Sequence, residues 1–338
     1  MASEAVGLEE TAARFTPPAV AWFEVYAGGS AEADHVEFAA LAKRIMRVQE
    51  RVRRRAKAAG IARAFHAKPL LAVDHATLRF RDDLAVDLTV GYARPGAAYP
   101  TIVRFSNANG AAQGDHVRDL RGVALRVQAG DQGLHELLLT NFPVSHARNA
   151  EQFVACAEAM AGSRVLGLVR VALAQGPGEM LRMLRNVRIA RGRPVATVAA
   201  ASFWSRGAQL WGADNAVRLL LRPMGEVAPP PPGGWTEDPD RLRKDLLDRL
   251  GKGTLRFELC VQRFVDKRRT PIEDTAVEWR EADAPAVPVA ELLIPKLDAP
   301  ELAVASAEAA IDGMAFSPWH TTPEFRPLGN LNRARKQV

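Results

Sequence analysis

Four short blocks of this chain carry residue types suited to proton transfer on a small oxygen compound. They are Arg63-Ala64-Phe65-His66-Ala67-Lys68, Arg104-Phe105-Ser106, Arg118-Asp119-Leu120-Arg121-Gly122 and Thr140-Asn141-Phe142-Pro143, in that order, with strand-like sequence between them. His66 supplies an imidazole, the side chain whose charge changes nearest neutral pH, and a hydroxyl such as that of Ser106 can fix its tautomer and orientation. Ser106 and Arg104 are two apart, so on a strand they point to the same side. Asn141 follows the apolar run 134–140 and Pro143 stiffens the chain just after it; a carboxamide there can hold a bound oxygen atom. An isolated histidine after a basic helix is ordinarily structural. The accompanying blocks make His66 a candidate acid–base catalyst.

Such groups need rigid elements to place them. Residues 37–59 read as an amphipathic helix, with Leu41, Ile45, Val48 and Val52 on one face and Arg44, Arg47, Arg51, Arg54 and Arg55 elsewhere. The basic residues read as a solvated face, and Gly60 as the helix stop. The period then changes to two. Alternation over 84–92, 103–106, 123–127 and 255–261 gives strands with one buried side each. Helices are predicted over 149–162, 178–189, 239–250 and 300–313, the last with proline at its start and glycine at its end. Pro229-Pro230-Pro231-Pro232-Gly233-Gly234 reads as a stiff surface loop. The expected fold class is α+β, an antiparallel β-barrel core with surrounding helices. The expected organisation is an N-terminal arm, 1–35, and one domain over 36–338.

Composition sets outer bounds. The chain has 338 residues, 48% of them hydrophobic, enough for a sizeable core. Its net charge of +6 reads as a basic surface without the interleaved aromatics of a nucleic-acid site. Cys156 and Cys260 form no CxxC or zinc spacing and read as reduced structural thiols. No signal-peptide pattern and no apolar run of membrane-spanning length is present, so a cytoplasmic protein without membrane insertion is expected. No GxGxxG or phosphate-binding loop supports nucleotide binding, and no HExxH or paired-carboxylate motif gives His75, His116, His135 or His320 a metal.

Taken together, the four blocks resemble the distal pocket of the haem catalase superfamily. The segment 270–279 and the end block 325–338 resemble the smaller catalase-related proteins. The resemblance covers most of 35–338 and is weakest over 160–250. It implies haem b (iron protoporphyrin IX) as cofactor, a small peroxide as substrate and a homo-oligomer. His66 would be the acid–base catalyst, Asn141 a hydrogen-bond donor to the peroxide and Ser106 the support of His66. Arg63 and Arg104 match arginines that bind haem propionates, and Arg335 matches one that tunes the iron ligand. Arg118-Asp119-Leu120-Arg121-Gly122 would be structural, an internal ion pair beside a strand start, with Gly122 allowing close backbone approach.

Three positions depart from the family pattern. Phe65 replaces a small β-branched residue, Pro69 replaces a glycine-rich turn, and His146 falls near an aromatic that packs over the haem. With Phe65 and His146 as cofactor-contacting residues, the altered pocket points to organic hydroperoxides and peroxidase turnover beside hydrogen peroxide. A second reading is fatty-acid hydroperoxide isomerisation of the allene oxide synthase type. A third is a non-catalytic haem carrier, sensor or haemless relic. In the family a tyrosine four residues after the arginine matching Arg335 ligates the iron; the sequence reaches Val338, and Tyr26, Tyr92 and Tyr99 do not match. A chain continuing past Val338, another iron ligand, and a chain that does not ligate haem in the usual way all remain open.

Overall fold

A computed structural model describes residues 21–56, 63, 65–110, 112–161, 164–229 and 237–337. Its centre is an antiparallel sheet of β1 (Pro69–Phe80), β2 (Ala98–Asn107), β3 (Arg121–Gln128), β4 (Leu134–Thr140), β5 (Phe203–Ser205), β6 (Gln209–Trp211), β7 (Asn215–Pro223), β8 (Leu255–Arg263) and β9 (Ala286–Ile294). The strand order is β5-β4-β3-β2-β1-β9-β8-β7-β6. A further pairing of β5 with β7 closes eight of these strands into a barrel and leaves β6 as a hairpin partner outside the ring. The expected α+β barrel is therefore what forms.

Alternation decides what fills the barrel. Val103 and Phe105 on β2, Val123 and Leu125 on β3, Leu137 and Leu139 on β4, and Phe257 and Leu259 on β8 all belong to one buried core. The residues between them must face outwards. Arg104, Ser106, Gly122 and Thr140 are among these, so the chemistry-bearing blocks lie on the outer wall of the barrel. Cross-strand register sets Ser106 opposite Gly122, and Gly122 opposite Thr140.

Seven helices accompany the barrel among the described residues. They are α1 (Ala31–Ala56), α2 (Ala150–Ala161), α3 (Arg164–Gln175), α4 (Pro177–Gly192), α5 (Arg241–Lys252), α6 (Pro300–Asp312) and α7 (Asn330–Arg335). Phe38, Leu41, Ile45 and Val48 of α1 pack with Val154 and Ala157 of α2 and Leu331 and Ala334 of α7. The basic side of α1 is partly neutralised within the molecule: Arg44 bridges Glu151 and Glu158, and Arg53 and Arg54 both reach Glu50.

Two expectations need correction. Helix α1 starts six residues before position 37, because the Ser30 hydroxyl accepts the Ala33 N–H and caps it. Its expected stop, Gly60, lies outside the described residues, as do 230–234 of the proline-rich loop and Gly162. Residues 84–92 do not form a strand but a turn, with a 3-10 segment at Val86–Leu88. Val86 is 91% exposed while Leu84, Leu88 and Tyr92 are buried. The inward residues recur every fourth position, so the period of two was only apparent. Strands β5, β6, β7 and β9 and helix α3 gave no signal that was read. The segment before α1 is also bound: Glu24 holds Arg326, Arg333 and the Gly329 N–H, so the N-terminal segment clasps the block that carries α7. Among the described residues, no helix is long and apolar enough to cross a membrane.

Candidate functional site at the outer wall of the barrel

His66 is held in a conformation that most residues avoid. Its φ is +60°, and it is the one non-glycine with positive φ among the described residues. That backbone costs on the order of 1–2 kcal/mol and persists only where the surroundings impose it. Three contacts do so. The His66 N–H donates to Ala108 O at 3.0 Å, the Ala67 N–H to Asn109 O at 3.0 Å, and Arg104 Nη1 to His66 O at 3.0 Å.

The ring is fixed from two sides. Nδ1 lies 3.0 Å from Ser106 Oγ. The imidazole also rests on the backbone of Gly122, where an added Cβ would come within 2.3 Å of Cε1 and 2.4 Å of Nδ1. Any side chain at 122 would displace the ring. In the tautomer that donates from Nδ1 to Ser106, Nε2 keeps its lone pair, and no protein group among the described residues hydrogen-bonds it.

Asn141 stands at the same corner, one residue beyond Thr140. Its N–H donates to Arg121 O at 2.9 Å, and its Oδ1 accepts the Arg121 N–H at 2.6 Å. With the oxygen committed, Nδ2 is the end left for a ligand. The Thr140 hydroxyl, between Asn141 and the Gly122 register partner, is buried without a hydrogen-bond partner among the described residues.

Positive charge surrounds this corner. Arg104 binds Asp312 at 2.9 Å as well as the His66 carbonyl. Arg63 donates to Asp312 O and Met314 O, each at 2.8 Å, with its guanidinium 3.8 Å from the Asp312 carboxylate. Both arginines thus meet at the end of α6. Arg206 and Arg335 line one cavity of about 20 Å³ with Ser205 and Asn332. Neither makes an ion pair among the described residues. Burial lowers Arg335 to about 10, and burial with neighbouring Arg218 and Arg335 lowers Arg206 to about 9, so both stay cationic at neutral pH.

The imidazoles respond to this field. Burial, then Arg104, Arg206, Arg335 and Arg63, push His66 down to about 3. Burial, then Arg206, Arg182 and Arg191, do the same to His146. Both are neutral in the folded protein, whereas their ordinary value is 6.5. Between pH 6.5 and 3 the unfolded chain therefore binds more protons, and folding stability falls as pH falls through that window. Between pH 6.5 and 5, above most carboxylate titration, the urea midpoint should drop on acidification, and His146→Phe should flatten the slope. An unchanged slope in that variant would show that His146 is not held neutral.

His146 stacks on Phe153 with ring centroids 5.4 Å apart, and Phe65 meets Phe153 at 5.3 Å. Phe153 of α2 therefore joins the two predicted cofactor contacts into one aromatic wall. The block 118–122 departs from its expected detail. Asp119 accepts the Asn109 and Leu120 N–H groups, while buried Arg121 bonds Asn107 and the carbonyls of Asp115 and Val117. The two order the loop through separate hydrogen bonds, and no salt bridge joins them among the described residues. Arg206, Arg218, Thr140, Phe153 and Asp312 were not picked out as site residues. Arg206 and Arg218 lie in the stretch with the weakest resemblance, and only the closed barrel brings Arg206 close enough to act on His66.

The fold matches that of known catalases. A fungal catalase crystal structure superposes with TM-score 0.64 at 20% identity, covering 81% of this chain and 56% of that one. Catalase A from Saccharomyces cerevisiae gives TM-score 0.62 at 15% identity, covering 81% of this chain and 58% of that one. The chain thus spans less than two thirds of either. A model of the catalase family matches residues 46–163, the stretch holding all four blocks. No curated protein sequence matches the chain. The chain therefore has the catalase fold, and its residues 46–163 match the catalase family model.

Proposed function

We propose that the protein is a haem-dependent, peroxide-metabolising oxidoreductase acting on hydrogen peroxide or organic hydroperoxides. The observation that carries this reading is the clamped, neutral His66, tied through Nδ1 to Ser106 and seated on Gly122.

Features of the outer wall fit a flat dianionic prosthetic group such as haem b. Half-buried Arg206 and Arg335 make no ion pair with a carboxylate, and the buried Thr140 hydroxyl has no hydrogen-bond partner, among the described residues. Arg63 and Arg104 already converge on the carboxylate of Asp312, which supports their affinity for such a group. Arg63, Arg104 and Arg335 would hold or tune the haem, with Phe65 and His146 against it. The haem would supply the iron that takes up the oxidising equivalents as the O–O bond breaks.

The protein's part is placement and proton transfer. His66 Nε2 takes the proton from the peroxide and returns it to the departing oxygen, a task that requires the neutral ring which burial maintains. Ser106 holds the tautomer. Asn141 Nδ2 donates to the peroxide oxygen, since its own oxygen is already bound to Arg121. The wall of Phe65 and Phe153 gives this corner an apolar side suited to an organic hydroperoxide. Half-buried Cys156 and buried Cys260 are unpaired thiols, raised by desolvation to about 11 and about 12, which suits a reducing compartment such as the cytoplasm.

Reconstitution with haemin tests the reading. The expected result is a Soret band that stays with the protein through gel filtration, together with consumption of hydrogen peroxide or cumene hydroperoxide. A reconstituted protein without that band would overturn it.

A further inference from the structure

The net charge of the whole chain equals that of one helical hairpin. Residues 164–193 contain seven arginines and one acid, Glu179, a net +6, and the full chain also carries +6. Glu179 is already shared between Arg148 and Arg182. The hairpin is α3 and α4, joined at Gly176.

The same hairpin exposes aliphatic side chains. Leu173 of α3 is 82% exposed and Leu181 of α4 is 61% exposed; Val169, Leu184 and Ile189 are exposed too. On α4 the buried residues are Met183 and Ala190. Leu181, Leu184, Arg185 and Arg188 occupy the outward side, spaced three or four apart, so aliphatic and cationic groups interleave on one face. Neither Arg185 nor Arg188 has an acidic partner among the described residues.

We propose that the α3–α4 hairpin docks on an anionic lipid surface. Solvation alone accounts for arginines but not for three exposed leucines, a valine and an isoleucine beside them. A lipid interface satisfies both: the aliphatic groups enter the acyl boundary, and the guanidinium groups stay among anionic headgroups. A nucleic acid would use the charge and leave the aliphatic groups wet, and residues 164–193 hold no aromatic side chain on which a base could stack. A second copy docked through the same face would set arginines against arginines. The proposal stands apart from the peroxide chemistry of the outer wall.

The test is sedimentation of the purified protein with vesicles of phosphatidylcholine alone or mixed with phosphatidylserine. Binding should appear only with the mixed vesicles and weaken as salt rises. Arg185→Gln combined with Arg188→Gln should lower the partition coefficient about thirtyfold, since each surface cation contributes roughly fivefold. Leu173→Ser combined with Leu181→Ser should also weaken binding, at a charge left unchanged. All four positions are exposed, so the fold should tolerate these changes, and unaltered circular dichroism checks that. Equal binding to neutral vesicles, no binding to either, or a preference for duplex DNA or RNA over the mixed vesicles would each overturn the proposal. So would dimerisation in solution that the serine variants abolish.

Discussion

His66→Ala should lower peroxide turnover by about 10²–10⁴-fold while haem remains bound. The range is that of a positioned general acid–base group. The effect is specific because the structure gives His66 little else to do. Its ring touches Ser106 and Gly122, and its main-chain contacts to Ala108 and Arg104 survive truncation. Arg63, Arg206 and Arg335 are untouched, so the Soret band should persist. Removing an imidazole held neutral by desolvation and neighbouring arginines should also relieve acid sensitivity. Ser106→Ala should act in the same direction with smaller effect, because it frees the tautomer without deleting the base. The measurement is kcat/KM with hydrogen peroxide beside the Soret absorbance of the same sample. Turnover within a factor of about three of the parent would refute the assigned role, since a positioned acid–base group is worth far more.

Gly122→Ala should be nearly as damaging to turnover, although the residue has no functional group. Its new Cβ would stand 2.3 Å from His66 Cε1 and 3.3 Å from Ser106 Oγ. Strand β3 cannot retreat, because it pairs with β2 on one side and β4 on the other. The ring must move instead, and a shift of about 1 Å in a catalytic group costs about 100-fold in rate. The overpacking itself should destabilise the fold by about 1–3 kcal/mol, readable as a lower urea midpoint. The two effects separate in the double variant: Gly122→Ala should cause little further loss of turnover in a His66→Ala background. A full additional loss there would mean that Gly122 acts on something other than the imidazole.

Much of this site could be read directly from the chain. His66, Ser106 and Gly122 are brought together by local rules: alternation placed Ser106 beside Arg104, and a glycine at a strand start marked a close approach. Ser106 and Gly122 are partners across β2 and β3, and His66 just precedes β1, whose Pro69 pairs with Ser106, so three neighbouring strands suffice to join them. The aromatic wall was half visible. Phe65 and His146 were singled out, but Phe153, which joins them, was read only as part of a helix face. The Arg63–Arg104–Asp312 junction was not visible, because it links positions more than two hundred residues apart. The turn at 84–92 misled because leucine and valine at alternate positions also satisfy a period of four.

Residue order by itself determined most of the alternating strands, the barrel class, the resemblance to catalases and the choice of His66 and Asn141 as candidates, since each rests on spacing along a few neighbouring residues. Only the tertiary structure decided that the site lies on the barrel's outer wall, that Arg206 and Arg335 stand near it without an ion-pair partner among the described residues, and that His66 is forced to φ +60° and kept neutral. The reason is physical. Burial, electric field and imposed backbone strain are properties of everything packed around a residue, and closure of β5 onto β7 assembles those surroundings from distant parts of the chain.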